Sequence, residues 1–384
     1  MEIRAICEKE YAESYRVESV AFDIGFDCHE EMSGDYRNRR AVFQDGRIVA
    51  CLDEVPFRTH LNGVEVGMAG IGGVATLPEE RRKGYIRALF RKVLEESREK
   101  GDVLSYLFPF SNVYYRQFGY ENCMVRNKIT LPISSLQSLQ APGSMEMYRP
   151  GDNMKPIMEL YEKFSLNKNL MIQRTGKIWD KRLNADPYKN NRYVYVRPGP
   201  GREADGYIIL KPHAPALVVE EMVWRDSRAL KGMLGFLFCF SGRYRFIRYD
   251  APSFLNFYPL IPEAYDIRST GMCSGMGRIV DAERALRTLP FPKNGVPITV
   301  QVRDDFLEWN NDTFLLYEEN GLTQVRRVGK EPDMICDIRV LVQLLCGYLS
   351  LQECAELGGV VLKTNQTAVF RIFTGGVPCI YDEF

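Results

Sequence analysis

Gly67-Met68-Ala69-Gly70-Ile71-Gly72-Gly73-Val74-Ala75-Thr76-Leu77-Pro78-Glu79-Glu80-Arg81-Arg82-Lys83-Gly84-Tyr85-Ile86 is the stretch whose reading decides the fold. Its first part, apolar and built of small residues, predicts a strand; the basic segment with Gly84 predicts a turn; a helix follows. In that helix Ile86, Leu89, Phe90, Val93, Leu94 and Ser97 recur with helical period and form one buried stripe, while Arg87, Arg91, Lys92, Glu95, Glu96, Arg98 and Glu99 take the wet face. Gly101 stands where a left-handed cap is expected. At the other end the first N–H groups lack intrahelical partners, and the macrodipole adds roughly half a positive charge. Arg81, Arg82 and Lys83 add three more charges there, and Gly84 permits close approach to the backbone. Strand, basic turn and helix N-terminus together have the layout of a phosphate cradle.

The turn carries neither G-x-G-x-x-G nor G-x-x-x-x-G-K-[ST], which excludes the common dinucleotide and P-loop readings. Its Arg81-x-x-Gly84-x-Ile86 pattern instead resembles the pyrophosphate turn of the GNAT acetyltransferase superfamily, [Q/R]-x-x-G-x-[G/A], with Ile86 departing from the small sixth residue. After the helix come the apolar run Val103–Phe108 and then Ser111-Asn112-Val113-Tyr114-Tyr115-Arg116-Gln117-Phe118-Gly119-Tyr120, which is similar to the family's second cofactor motif. The resemblance implies that acetyl-CoA lies along Val74, Ala75 and Thr76, with its pyrophosphate on Arg82, Lys83, Gly84, Tyr85, Ile86 and Arg87, Arg81 in support, and Ser111 and Asn112 nearby. It implies Tyr115 as general acid, and a phenol whose reference pKa is near ~10 suits that role at neutral pH. Packing of Tyr114, Tyr115, Phe118 and Tyr120 in a core is the plainer alternative.

With 384 residues the chain is expected to hold two or three domains, and 45% hydrophobic content argues against disorder. Fifty basic and fifty acidic residues cancel, so no chain-wide field favours nucleic acid or an anionic membrane. No segment has signal-peptide or bilayer-spanning character, and ten scattered cysteines without C-x-x-C pairs read as reduced thiols, so a cytoplasmic protein is expected, without membrane insertion. Three histidines far apart leave little for metal or Ser-His-Asp chemistry, and no metal is expected.

Ahead of the central strand, Ile3–Ile6 reads as a strand, residues 8–22 as a helix, and Asp45-Gly46 and Asn62-Gly63 as the turns of two hairpins. The acidic stretch after the first helix, with Asp23, Asp27, Glu30 and Glu31, falls where the family's acceptor pocket is bordered; Asp23 is the favoured ligand for a cationic amine, a solvated loop the alternative. A polar connector near residues 132–143, ending in Gln140 and Pro142-Gly143, precedes a second strand–helix–strand set in which the turn reads Trp224-Arg225-Asp226-Ser227-Arg228, with no glycine and an added acid. This predicts a second GNAT-like unit lacking the cradle. The opening Arg278-Ile279-Val280-Asp281-Ala282-Glu283-Arg284-Ala285-Leu286 and the α+β tail behind it resemble the enhanced intracellular survival acetyltransferases, whose tail looks like a sterol carrier protein domain.

The expected architecture is therefore α/β and α+β: a GNAT domain over residues 1–130, a second GNAT-like domain over 131–275, and a sterol-carrier-like domain over 276–384. In the resembled family the C-terminal residue threads into the first domain's active site and its carboxylate acts as base, which points to Phe384, with Glu383 as a further amine ligand; an edge strand is the alternative for the apolar end Val377–Phe384. The resemblance implies direct acetyl transfer to an amine, with an aminoglycoside, a polyamine and a lysine side chain all open as acceptors, and a homo-oligomer, a hexamer. A lipid- or ligand-binding protein with a CoA-sensing domain and no turnover is the reading from another class; a scaffold held together by acetyl-CoA is a third.

Overall fold

The computed structural model describes residues 1–25, 35–139, 144–184, 186–201 and 203–384; Asp27, Glu30 and Glu31 of the acidic stretch, and Gln140 and Pro142-Gly143 of the connector, lie outside them. The described part divides into two compact units, one of residues 1–123, 275–376 and 382–384, the other of 124–274 and 377–381.

In the first unit the elements run β1 (Glu2–Ala5), α1 (Tyr11–Phe22), β2 (Arg39–Gln44), β3 (Arg47–Leu61), β4 (Val64–Thr76), α2 (Tyr85–Lys100), β5 (Asp102–Leu107), α3 (Asn112–Arg116) and β6 (Glu121–Asn122). β1 to β4 form an antiparallel meander, and β5 returns parallel to β4. Positive φ at Asp45 and Gly46, and again at Asn62 and Gly63, gives both expected turns the primed geometry that matches strand twist. The two hairpins are not separate, however, because β3 is one strand from Arg47 to Leu61. β2 releases β3 at Asp53, so Pro56, which brings no N–H, sits where β3 has β4 as its sole partner.

The sheet is covered on both faces. α1 lies on one with Ile6, Tyr11, Val17, Phe43, Cys51 and Ala75. The stripe of α2 lies on the other, with Leu52, Ile71, Leu107 and the α3 aromatics. Gly101 closes α2 at φ 93, as its position in the sequence predicts. β7 (Met276–Ile279), at the head of the expected third domain, is a strand of this first sheet, between β5 and β6. Behind it β8 (Ile298–Arg303), β9 (Asp312–Glu319), β10 (Leu322–Arg327), β11 (Met334–Asp337) and β12 (Val360–Leu362) make a five-stranded sheet in the order β10-β9-β8-β11-β12.

The second unit is built on its own seven-stranded sheet, in which Ala216–Trp224 and Phe246–Pro252 are parallel neighbours joined through the helix Ser227–Leu237. Val125–Pro132, which begins inside the expected first domain, is a strand of this sheet. The helix Gly176–Leu183 and the strand Arg268–Cys273 have no counterpart in the sequence reading.

Candidate active site

Two irregularities open the middle of the first sheet. The parallel ladder of β4 and β5 ends at Ile71 and Leu107, whereas β4 continues to Thr76, so Gly72 to Thr76 have no β5 partner. Opposite β3, Cys51 faces Ala75 and Asp53 faces Gly72, which sets Leu52 alone against Gly73 and Val74. This is a β-bulge, and Gly73 takes the left-handed φ of 55° that such a bulge uses. A bulge bends a strand and re-aims its backbone groups. Val74 and Thr76 stay half-exposed beside the opening, while the Ala75 side chain turns into the core beneath α1.

The turn after β4 has the features an anion needs. α2 begins at Gly84, φ 83°, with no side-chain cap, so its first N–H groups remain available. Arg82 is also left-handed, φ 65°, with Lys83 between, and this alternation folds successive N–H groups into a concavity. Arg81, Arg82, Lys83 and Gly84 are all exposed. Lys83 pairs with Glu80 at 2.8 Å, but among the described residues Arg81 and Arg82 have no ion pair, leaving two uncommitted guanidinium groups at the positive end of the helix. Tyr85, Ile86 and Arg87 form the first turn of α2: Ile86 packs in the core, and the Arg87 guanidinium lies over the Phe306 ring at 5.0 Å, so what Arg87 offers an anion is its N–H.

Ser111 and Asn112 start α3, where the Ser111 hydroxyl accepts from the Tyr114 N–H and serves as N-cap. That cap holds the short helix presenting Tyr115, whose ring packs edge-on to Phe90 at 6.1 Å and Phe110 at 5.3 Å. The residue is 3% exposed, and burial pushes its phenol above the ordinary tyrosine value. Its hydroxyl has no hydrogen-bond partner among the described residues and is not one of the sealed, orphaned polar atoms, so the little exposure it keeps includes the hydroxyl oxygen. Tyr120 differs: its hydroxyl is consumed by Ser105 at 2.7 Å, and Ser105 donates to the Ala69 carbonyl. Tyr114 and Tyr115 both keep a hydroxyl without a hydrogen-bond partner among the described residues, and Tyr115 is the one whose ring is buried in the core.

The chain terminus reaches the same strand. The Phe384 ring packs against Phe57 at 4.6 Å, Phe108 at 5.4 Å and Tyr106 at 6.3 Å. A side chain at Gly70 would collide with it, and a Cβ at Gly72 would stand 3.7 Å from its terminal carboxyl. Gly70 and Gly72 face the same side of β4, the side on which the terminus lies. Among the described residues the carboxylate has neither ion pair nor hydrogen bond. Phe108 touches Phe384 and Phe110 touches Tyr115, so the continuation of β5 carries the terminus at one end and the phenol at the other. Glu383 is exposed beside it. Asp23 caps α1 in the left-handed conformation and lines an open concavity of about 530 Å³ with Arg16, Ser19, Val20 and Gly25.

Cys51 and Cys123, two thiols of this unit, are unsuited to act as nucleophiles. Cys51 is fully buried, its thiol pushed up to about 12 by loss of water, and Cys123 is equally sealed. Sequence reasoning did not find Arg39, Asp53 and Glu18, which meet beneath Gly73: Arg39 bonds Asp53 at 2.7 and 2.6 Å and Glu18 at 2.5 Å. Gly73 was the one available signal, since a glycine inside a strand marks a bulge or a close approach.

Comparison with known proteins gives the same assignment for the separate parts. Residues 2–123 match an acetyltransferase (GNAT) domain model, residues 170–279 a second GNAT domain model, and residues 282–381 a sterol carrier protein domain. The chain is 23% identical, over all of both sequences, to an uncharacterized N-acetyltransferase of Streptomyces griseus. In fold it resembles a probable N-acyltransferase of Enterococcus faecalis (TM-score 0.87, 21% identity, all of this chain and 99% of that one) and Eis1 of Mycobacterium abscessus (TM-score 0.82, 18% identity, all of both chains).

Proposed function

Taking the chain as its domains define it, a GNAT acetyltransferase with two such domains and a sterol carrier protein domain, we propose that it moves an acetyl group directly from acetyl-CoA to a primary amine. The acceptor is a cationic small molecule, such as an aminoglycoside or a polyamine, or a lysine side chain. One observation carries this reading: the opened segment of β4 leads into a basic helix N-terminus without a side-chain cap, while a terminal carboxylate with no ion pair or hydrogen bond among the described residues rests against that same segment at Gly72.

In this account Arg81, Arg82 and the N–H groups of residues 84–87 hold the pyrophosphate, and the free edge of Val74 to Thr76 takes the pantetheine arm and polarises the thioester carbonyl. The Phe384 carboxylate takes a proton from the attacking amine, directly or through water. The amine nitrogen bonds the acetyl carbon, the carbon–sulfur bond breaks, and Tyr115 gives its proton to the departing sulfur. Burial serves Tyr115 well, because a phenol pushed upward stays protonated throughout the neutral range. Asp23 and Glu383 supply negative charge for the acceptor. The homo-oligomer, a hexamer, belongs to the same proposal and is read by light scattering.

The test is to lengthen the chain by a few residues after Phe384, which replaces the carboxylate with a neutral amide. Release of CoA with an amine library should fall by at least ~10²-fold, the scale of a lost general base, with acetyl-CoA affinity and melting temperature near normal. Full activity in the extended protein removes Phe384 from the reaction.

A further inference from the structure

The bulge of β4 stands directly on an ionic network whose guanidinium is buried and whose two carboxylates are partly buried. A Cβ on Gly73 would lie 3.0 Å from Asp53 Oδ2, 3.3 Å from Arg39 Nη2 and 3.3 Å from Glu18 Oε1, so the backbone at this residue has the network as its floor. Arg39 is 1% exposed. Its Nε and Nη2 grip the two oxygens of Asp53 in a fork, Nη2 also reaches Glu18, Nη1 reaches the Ser14 hydroxyl, and the guanidinium lies 5.4 Å from the Tyr11 ring. Arg39 and Asp53 are direct cross-strand partners on β2 and β3, whereas Glu18 and Ser14 come from α1.

Three elements are thus tied together at the point where β4 departs from regular pairing. Asp53 immediately follows Leu52, the residue that faces the bulge, so the fork fixes one rim of the bulge and Glu18 supports it from below. The planar, bidentate geometry matters here, because it sets direction as well as distance. A hydrogen-bonded network centred on a buried guanidinium rigidifies its surroundings, and a small displacement of a catalytic backbone group is costly.

We propose that the Arg39–Asp53–Glu18 network sets the bulge at Gly73 and so aims the Val74 backbone at the transferring acetyl group, which makes Arg39 and Asp53 positioning residues for the transfer. The proposal rests on the reading of Val74 as part of the transfer site, and its test has one arm that needs no turnover. Arg39→Lys keeps the charge but cannot make the fork; Asp53→Asn keeps the shape and weakens the pairing; both are compared with wild type for kcat, KM and acetyl-CoA Kd, and for amide exchange at residues 72–76. Exchange should quicken at least tenfold there and stay unchanged along α2. The kcat should fall about ten- to a hundredfold, with acetyl-CoA Kd within about twofold. If Arg39→Lys fails to fold, Asp53→Asn carries both readouts. Unchanged exchange overturns the role of the network in setting the bulge, and quickened exchange with unchanged kcat overturns its role in positioning. Wild-type protein inactive with every amine sinks the proposed function instead, while the exchange arm still reports on the bulge.

Discussion

The first and second units contain the same strand–turn–helix passage, with opposite outcomes. In the first, β4 leads through Arg81–Gly84 to a helix whose N-terminus no side chain caps. In the second, the strand Ala216–Trp224 leads to a helix whose N-cap, Asp226, accepts from the Ala229 N–H at 2.9 Å; that backbone bond holds the Asp226 carboxyl below its usual range. Arg225 is paired with Asp205 at 2.8 Å. One helix end is open to an anion, and the other already has its own.

The strands differ likewise. The second unit's parallel ladder ends at Val219 and Tyr249, as β4 and β5 part at Ile71 and Leu107. Here the Tyr381 hydroxyl fills the space beyond, bonding the Met222 carbonyl and the Tyr249 hydroxyl, each at 2.9 Å. Beside it the buried Glu221 is held by Arg174 and Arg182; burial alone would raise this carboxyl, but the two guanidinium groups hold it at about 2. The strand–turn–helix passage therefore ends in an open helix N-terminus in one unit, and in a capped one beside a plugged, ion-paired core in the other.

The largest effect expected from this comparison is on cofactor affinity. Gly84→Val forces a β-branched residue into a left-handed position and projects a side chain into open space where phosphate would lie. Acetyl-CoA binding should weaken about a hundredfold by calorimetry, whereas Asp226→Ala in the second unit should leave it unchanged. Next comes Tyr115→Phe, which removes only the open hydroxyl: kcat should fall about 10²-fold at constant acetyl-CoA affinity, with stability unaltered. In wild type no alkaline loss of rate from this phenol should appear below its ordinary value near ~10, because burial raises it.

Tyr381→Phe tests the plug. It abolishes two buried hydrogen bonds and should cost roughly 2 kcal/mol of stability in denaturant titration, without creating a second acetyl-CoA site. The smallest effect belongs to Asp102, whose carboxyl is raised to about 6, first by burial and then by Glu54. A folded-state value above the unfolded one means that the stabilisation is complete below about pH 4 and is lost as pH rises through about 6. Asp102→Asn should therefore melt slightly higher than wild type at pH 7.5, the advantage vanishing towards pH 4 in a melting-temperature series.

Much of the first unit was legible because its signals are local. The stripe of α2, the glycine turn at Gly84, the cap at Gly101, and the turns at Asp45-Gly46 and Asn62-Gly63 each follow from neighbouring residues. What stayed hidden depends on distant partners. Gly70 and Gly72 read as generic small residues of a cofactor strand, yet Gly70 is also kept small by a ring more than three hundred residues away. The Arg39–Asp53 fork joins residues of two different strands, and its position beneath Gly73 depends on the pairing with β4. Met276–Ile279 carries no mark that it completes the first sheet, and Arg268–Cys273, exposed along its whole length, has no apolar alternation to announce a strand.

The comparison reduces to a number: how many acetyl-CoA molecules one chain binds. Titration calorimetry on the full-length protein should give one site per chain, abolished or severely weakened by Gly84→Val and untouched by Asp226→Ala. Two sites of similar affinity, or a single site that survives Gly84→Val and is altered by Asp226→Ala, would contradict the assignment of an open cradle to the first unit and a closed one to the second.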